Sequence, residues 1–120
     1  MSPTQRSLAV LKIAGAVAGV VERWNHFARI RQDFLGFADI LAVEPGLVGV
    51  TAIQACTTGD QSKRLAKIAL NLNVAGWMAA GNRVEVWGWA KRGARGKRKT
   101  WTLSKTAIPL RGEIPPRGGA

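Results

Sequence analysis

The stretch that decides the fold reads GFADILAV over Gly36–Val43, EPG over Glu44–Gly46 and LVGVTAIQAC over Leu47–Cys56. The outer segments are short and mostly apolar, as strands are. Between them Pro45 fits the second position of a β-turn and Gly46 the next, so the whole predicts two strands joined tightly. Alternation along Gly36–Val43 puts Phe37, Asp39, Leu41 and Val43 on one face. In Leu47–Cys56 the face of Val48, Val50 and Ala52 also carries Gln54 and Cys56. Asp39 thus stands among apolar neighbours, where a carboxylate is costly unless its charge is offset. Whether it faces Gln54 depends on register, which the sequence leaves open.

Upstream, Ser2-Pro3-Thr4-Gln5 has the form of a helix start, with Ser at the N-cap, Pro at the first helical position and Gln three residues after the cap. Leu8, Val10, Leu11 and Ile13 continue it as an apolar stripe, and Gly15 ends it. Val17 to Trp24 reads as a strand closing on Glu22-Arg23, and residues 25–35 read as a polar, basic loop. Downstream, Thr57-Thr58-Gly59-Asp60 is expected to cap a helix whose Leu65, Ile68, Ala69 and Leu72 recur with helical period. Val74–Ala80 suggests a further short helix stopped at Gly81. Arg83–Lys91 and Lys97–Ser104 read as hairpin partners joined by Arg92–Gly96. The order is helix, three strands, helix and a two-stranded ribbon, an α/β (α+β) arrangement of helices on a mixed sheet. One domain is expected over residues 3–108, with a Pro- and Gly-rich tail at 109–120 that has no core of its own.

Charge is the unusual feature of the composition. Eighteen Lys and Arg against seven Asp and Glu give a formal +11, although apolar residues still make up 47% of the chain. Residues 1–82 hold eight basic and five acidic side chains, net +3; residues 83–120 hold ten and two, net +8. A concentrated field of that sign favours a polyanion, and nucleic acid is the commonest one a cytoplasmic protein meets. Acidic lipid would call for a basic amphipathic helix or a lipidation site, and neither is visible. A single cysteine, Cys56, rules out an intramolecular disulfide, and with a single histidine, His26, it rules out a Cys/His zinc site. Arg6 followed by Leu8–Val21 faintly resembles a secretory signal, but Lys12 interrupts the apolar run. No stretch is long and apolar enough to span a bilayer, so no membrane partner is expected.

A carboxylate on one strand of a hairpin, followed on the next by an acidic residue or Gln, any residue and Lys, is the signature of the PD-(D/E)XK nuclease superfamily. Over residues 3–91 the chain resembles that superfamily in element order. The local matches are Val21–Trp24, Asp33–Ala42 and Gly49–Cys56. It is similar to a small phage or bacterial member, near the Holliday-junction resolvases and the virus-type replication-repair nucleases. The resemblance implies a restriction-endonuclease-like core, αβββα followed by further strands. It also implies metal-dependent hydrolysis of DNA phosphodiesters, structure-selective on branched DNA, in the cytoplasm of a bacterial or phage-infected cell. Asp39 would be the metal-binding aspartate, Gln54 would stand at the acidic position, and Glu22 would be the additional acidic ligand. The ion would be Mg2+ or Mn2+, and relatives that cut paired strands suggest a homodimer. Where the superfamily lysine belongs, this chain has Cys56. Lys63 or Lys67, four apart on the following helix, is the candidate replacement, the alternative being that both are solvated lysines. The missing lysine also leaves open a nuclease-fold DNA-binding protein without catalysis, and a ribosomal-type RNA-binding protein is a further alternative.

The likeness does not absorb the C-terminal ribbon. Lys91, Arg92, Arg95, Lys97, Arg98 and Lys99 place six cations in nine residues around its turn. Cations on a hairpin tip can reach successive phosphates and bind backbone rather than base sequence. Trp87, Trp89 and Trp101 flank the tip and are expected to form a cross-strand aromatic cluster, base stacking being the alternative. Arg29 and Arg31, in the loop before Asp39, would grip phosphates near the ion or else balance Asp33.

Overall fold

The computed structural model describes residues 1–109. A mixed five-stranded sheet has the strand order β1 (Val17–Val20), β4 (Ile40–Val43), β5 (Thr51–Thr57), β6 (Arg83–Arg92) and β7 (Thr100–Ala107). Only β5 and β6 run parallel; the other neighbours are antiparallel. Helix α1 (Pro3–Ile13) packs on one face, and α2 (Gln61–Ala69) and α3 (Asn73–Ala79) pack on the other. A parallel pair needs a long crossover, and a 3-10 turn (Thr58–Asp60) with α2 and α3 supplies it. Among the described residues, no helix is long and apolar enough to cross a membrane.

The helix start read at Ser2 forms in full. Ser2 Oγ accepts from the Gln5 N–H and Gln5 Oε1 accepts from the Ser2 N–H, a complete capping box. Burial on both faces explains why six of the seven β5 residues are buried rather than every second one. Odd-numbered Ile53 and Trp87 join Leu11, Ile40 and Ala42 beneath α1. Even-numbered Ala52, Cys56, Val84 and Val86 join Phe37, Ile68, Val74 and Met78 beneath α2 and α3.

Several sequence readings are corrected. Val17–Trp24 is not one strand: β1 stops at Val20, opposite Ile40, the Val21 N–H makes one last bond to the Asp39 carbonyl at 2.8 Å, and beyond it the chain leaves the sheet. It peels away into a second, two-stranded hairpin of β2 (Arg23–Asn25) and β3 (Ile30–Gln32), where a loop is expected over 25–35. Three-residue strands carrying Arg, Asn and Gln give no alternating pattern to read. The strand expected over Gly36–Val43 is confined to Ile40–Val43, because Leu35 and Gly36 take left-handed φ of 54° and 83° and turn the chain. Likewise Leu47 and Val48 are exposed, and the second strand begins only at Thr51.

In the ribbon, β7 begins at Thr100 rather than Lys97 and continues to Ala107. Ile108 then packs against the core, its N–H bonded to the Val84 carbonyl. The expected tail lies, from residue 110 on, outside the described residues. The tryptophans do not form a mutual cluster. Trp87 is fully buried, and Trp89 donates its indole N–H to Ser7 Oγ at 3.0 Å, so both serve the contact with α1. Trp101 is 42% exposed and is covered by Arg6, whose guanidinium lies 3.8 Å from the ring centroid.

Candidate metal centre

The site forms where the sheet, the small hairpin and α2 meet. In the β4–β5 ladder Ile40 faces Ile53 and Leu41 faces Ala52. One step further along that register Asp39 faces Gln54, which answers the question the sequence left open. Asp39 is buried, and its Oδ2 accepts both Gln54 Nε2 at 2.7 Å and the Ala55 backbone N–H at 2.9 Å. The same kind of argument places Asp33. An isolated bridge joins Phe34 to Ala38, so the next residues outward, Asp33 and Asp39, come together across the turn.

That turn is held from α3 and the short link before it. The Leu35 carbonyl accepts from Asn71 Nδ2 at 3.0 Å and Asn73 Nδ2 at 3.1 Å, and Phe34 and Phe37 both meet the Trp77 ring edge-on. These contacts retain a non-glycine residue in the left-handed region, which by itself costs about 1 kcal/mol or more. Glu22 arrives from the other direction, on the two-residue link where the chain leaves β1 for β2. The result is a cluster in which one carboxylate oxygen each from Glu22, Asp33 and Asp39 lies within 4.8 Å of the others.

The electrostatics of the cluster are unbalanced. Burial, helped by a hydrogen bond with Asp33 and by the charges of Asp33 and Glu22, raises the Asp39 carboxyl from 3.8 to about 7. The Ala55 N–H pulls the other way and is overcome. Two cations stand nearby. Lys67 Nζ lies 3.5 Å from Asp33 Oδ2, and Arg31 Nη1 lies 3.2 Å from Glu22 Oε1 with its side chain 74% exposed. Neither pairs with Asp39. Three oxygen donors with this deficit of positive charge fit a hard divalent cation such as Mg2+ or Mn2+.

The sequence candidates divide clearly on the structure. Glu22 and Asp39 come together, and Lys67 rather than Lys63 reaches the acids; Lys63 lies one turn earlier, facing Asp60, Arg64 and Lys67 in a small cleft. Gln54 is adjacent but turns its amide nitrogen to Asp39, while its Oε1 is buried without a hydrogen-bond partner. In this arrangement its amide N–H orients the Asp39 carboxylate. Cys56 is buried in the core, and burial raises its thiol, so it stays protonated and inert. Asp33, read only as a counter-charge to Arg29 and Arg31, is the residue that sequence reasoning missed. The usable signal was two aspartates six apart across a Leu-Gly turn. Arg29 sits at the exposed tip of the small hairpin, and Lys91, Arg92, Arg95, Lys97, Arg98 and Lys99 are all exposed at the end of the ribbon. No protein-family model, no curated protein and no solved structure matches the chain.

Proposed function

We propose that the chain is a divalent-metal-dependent DNA endonuclease built on a restriction-endonuclease-like core, of the PD-(D/E)XK kind. One observation carries this reading: Glu22, Asp33 and Asp39 converge within 4.8 Å around a buried carboxylate, beside the ammonium of Lys67. The strand order β1-β4-β5-β6, antiparallel until a helical crossover makes β6 parallel to β5, supports the core assignment.

The chain's own residues would divide the work. Asp39, Asp33 and Glu22 hold the ion, and Asp39 must first lose its proton, so binding strengthens as pH rises through about 7. Gln54 and the Ala55 N–H fix the Asp39 carboxylate in place. Lys67 supplies, from α2, the positive charge that the absent strand lysine would give to the phosphate as negative charge develops on it. A bound Mg2+ or Mn2+ would polarise the phosphate and lower the pKa of a water nucleophile. Arg31 and Arg29 extend the positive surface away from the cluster, and the ribbon cations extend it further.

Cleavage of linear and branched DNA with Mg2+ or Mn2+, comparing the wild type with Asp39→Ala, tests the reading. Loss of cleavage in the variant supports it; equal cleavage removes Asp39 from the chemistry. Cys56 in place of the strand lysine favours a second reading, a DNA-binding protein without catalysis. It predicts salt-dependent retention of DNA that survives Asp39→Ala but falls on neutralising Arg95, Arg98 and Lys99. Preference for RNA in direct competition would favour an RNA partner instead.

A further inference from the structure

The hairpin of β2 and β3 carries an apolar group that neither the core nor the acidic cluster uses. Its turn, residues 26–29, is firmly built: Asn25 Oδ1 accepts from the backbone N–H groups of Phe27 and Ala28, both at 3.0 Å, and Arg29 takes a left-handed φ of 54°. On this turn Phe27 is fully exposed, with Trp24 and Ile30 about half exposed on the strands behind it. An aromatic ring held out to water on an ordered support forgoes the burial that would stabilise it and leaves both its faces free for a partner to stack on. Arg23, Arg29 and Arg31 surround it, all exposed.

The hairpin also divides two clefts. On one side a cavity of about 670 Å³ is lined by Ile30, Gln32, Asp33 and Lys67. On the other a cavity of about 280 Å³ is lined by Val20, Glu22 and Trp24. Arg23 and Arg31, on the two strands of the hairpin, line both clefts and form the ridge between them. Because Asp33 opens into one cleft and Glu22 into the other, both clefts end at the same acidic cluster.

We propose that this hairpin is a wedge for the branch point of a DNA fork, with Phe27 stacked on the last base pair of the duplex and one strand led into each cleft. The destination of the strands rests on the nuclease reading above, and the wedge narrows its substrate to junctions of double- and single-stranded DNA. Every base offers a π-face, so stacking on Phe27 is indifferent to sequence, and apolar side chains inserted at base steps are a general means of holding distorted DNA. The three arginines meet the phosphates of the diverging strands. They also argue against a second copy of this chain as the occupant, since a two-fold contact would set the same cations against one another.

Binding of a Y-shaped fork and of a linear duplex of equal length, measured in EDTA with the full chain, tests the wedge. The wild type is expected to prefer the fork by roughly tenfold, the lower part of the range for one base stacked on an aromatic side chain. Phe27→Ala should bring the preference close to one without weakening the linear duplex, and Phe27→Tyr should keep it. Phe27 touches no core residue, so both variants should match the wild type in thermal melting. Equal binding of fork and duplex by the wild type overturns the proposal, as does a preference that survives Phe27→Ala. A dimer in sedimentation that Phe27→Ala dissolves would assign the ring to a second copy and also overturn it. Fork preference lost in Phe27→Ala while Mg2+ and Mn2+ give no cleavage would leave the wedge standing and remove the nuclease. Cleavage that needs Asp39, with a preference indifferent to Phe27, would do the reverse.

Discussion

Replacing Asp39 with Asn should make the protein more stable at pH 8 while abolishing metal-dependent activity. In the fold the Asp39 carboxyl is raised from 3.8 to about 7, chiefly by burial and then by Asp33 and Glu22. Between those two values the unfolded chain has released this proton and the folded chain still holds it. The sign follows directly: stability falls as pH rises through the window and levels off above about 7. At 1.36 kcal/mol per pH unit, the loss in the wild type is about 4 kcal/mol. Asn cannot ionise, so Asp39→Asn should escape that loss. With its Oδ1 where the Asp39 Oδ2 lies it can still accept from both the Ala55 N–H and Gln54 Nε2, and its Nδ2 is left to donate toward Asp33. The advantage of the variant should therefore be near zero at pH 4 and grow to about 4 kcal/mol above pH 7, or roughly 2 M in the urea midpoint at an m of about 2 kcal/mol/M. Urea denaturation in EDTA at several pH values measures it, and the difference between the two proteins cancels the titrating groups outside the acidic cluster. Adding Mn2+ at pH 8 should stabilise the wild type alone and narrow the gap. A variant less stable than the wild type at pH 8, or a gap that does not grow with pH, would refute the account of Asp39 as a strained, cation-seeking carboxylate.

Lys67→Met should reduce cleavage by on the order of 100-fold, as removal of one charge-stabilising group does, whereas Lys63→Met should stay within a few-fold; single-turnover rates separate them. Gly49→Ala should destabilise by about 3 kcal/mol or more, because Gly49 has a φ of 83° and its added Cβ would run into the Gly81 carbonyl. That approach lies where β5 and β6 first come together, with the Val50 N–H on Asn82 Oδ1 and the Arg83 N–H on the Val50 carbonyl. Urea midpoints measure the cost, and an unchanged midpoint would show that the approach is not structural.

How far the chain could be read depends on how local each signal is. The capping box at Ser2 involves only residues three apart, so it is visible in the sequence and present in the fold. The helical period of α2, the turn at Pro45-Gly46 and the pairing of the long C-terminal strands are local in the same sense, although their ends shifted by several residues. The small hairpin was not legible, because its strands are three residues each and owe their existence to the loss of a partner after Val21 rather than to composition. Trp87 and Trp89 show the converse failure. Their alternation was plain, but whether that face met α1, another tryptophan or a base was decided only by packing.

The acidic cluster combines the two cases. Sequence alone determined that Asp39 lies within an apolar, strand-like segment, Gly36–Val43, and that a lysine-bearing helix follows the next strand. Tertiary structure alone decided which acids and which lysine join it. Register set Asp39 against Gln54, the Leu35-Gly36 turn swung Asp33 across to it, and the peeling of the chain after Val21 brought Glu22 alongside. Carboxylates repel one another, so no local preference assembles them. They are held together because the sheet, the turn anchored by Asn71 and Asn73, and α2 each place one group by contacts made elsewhere.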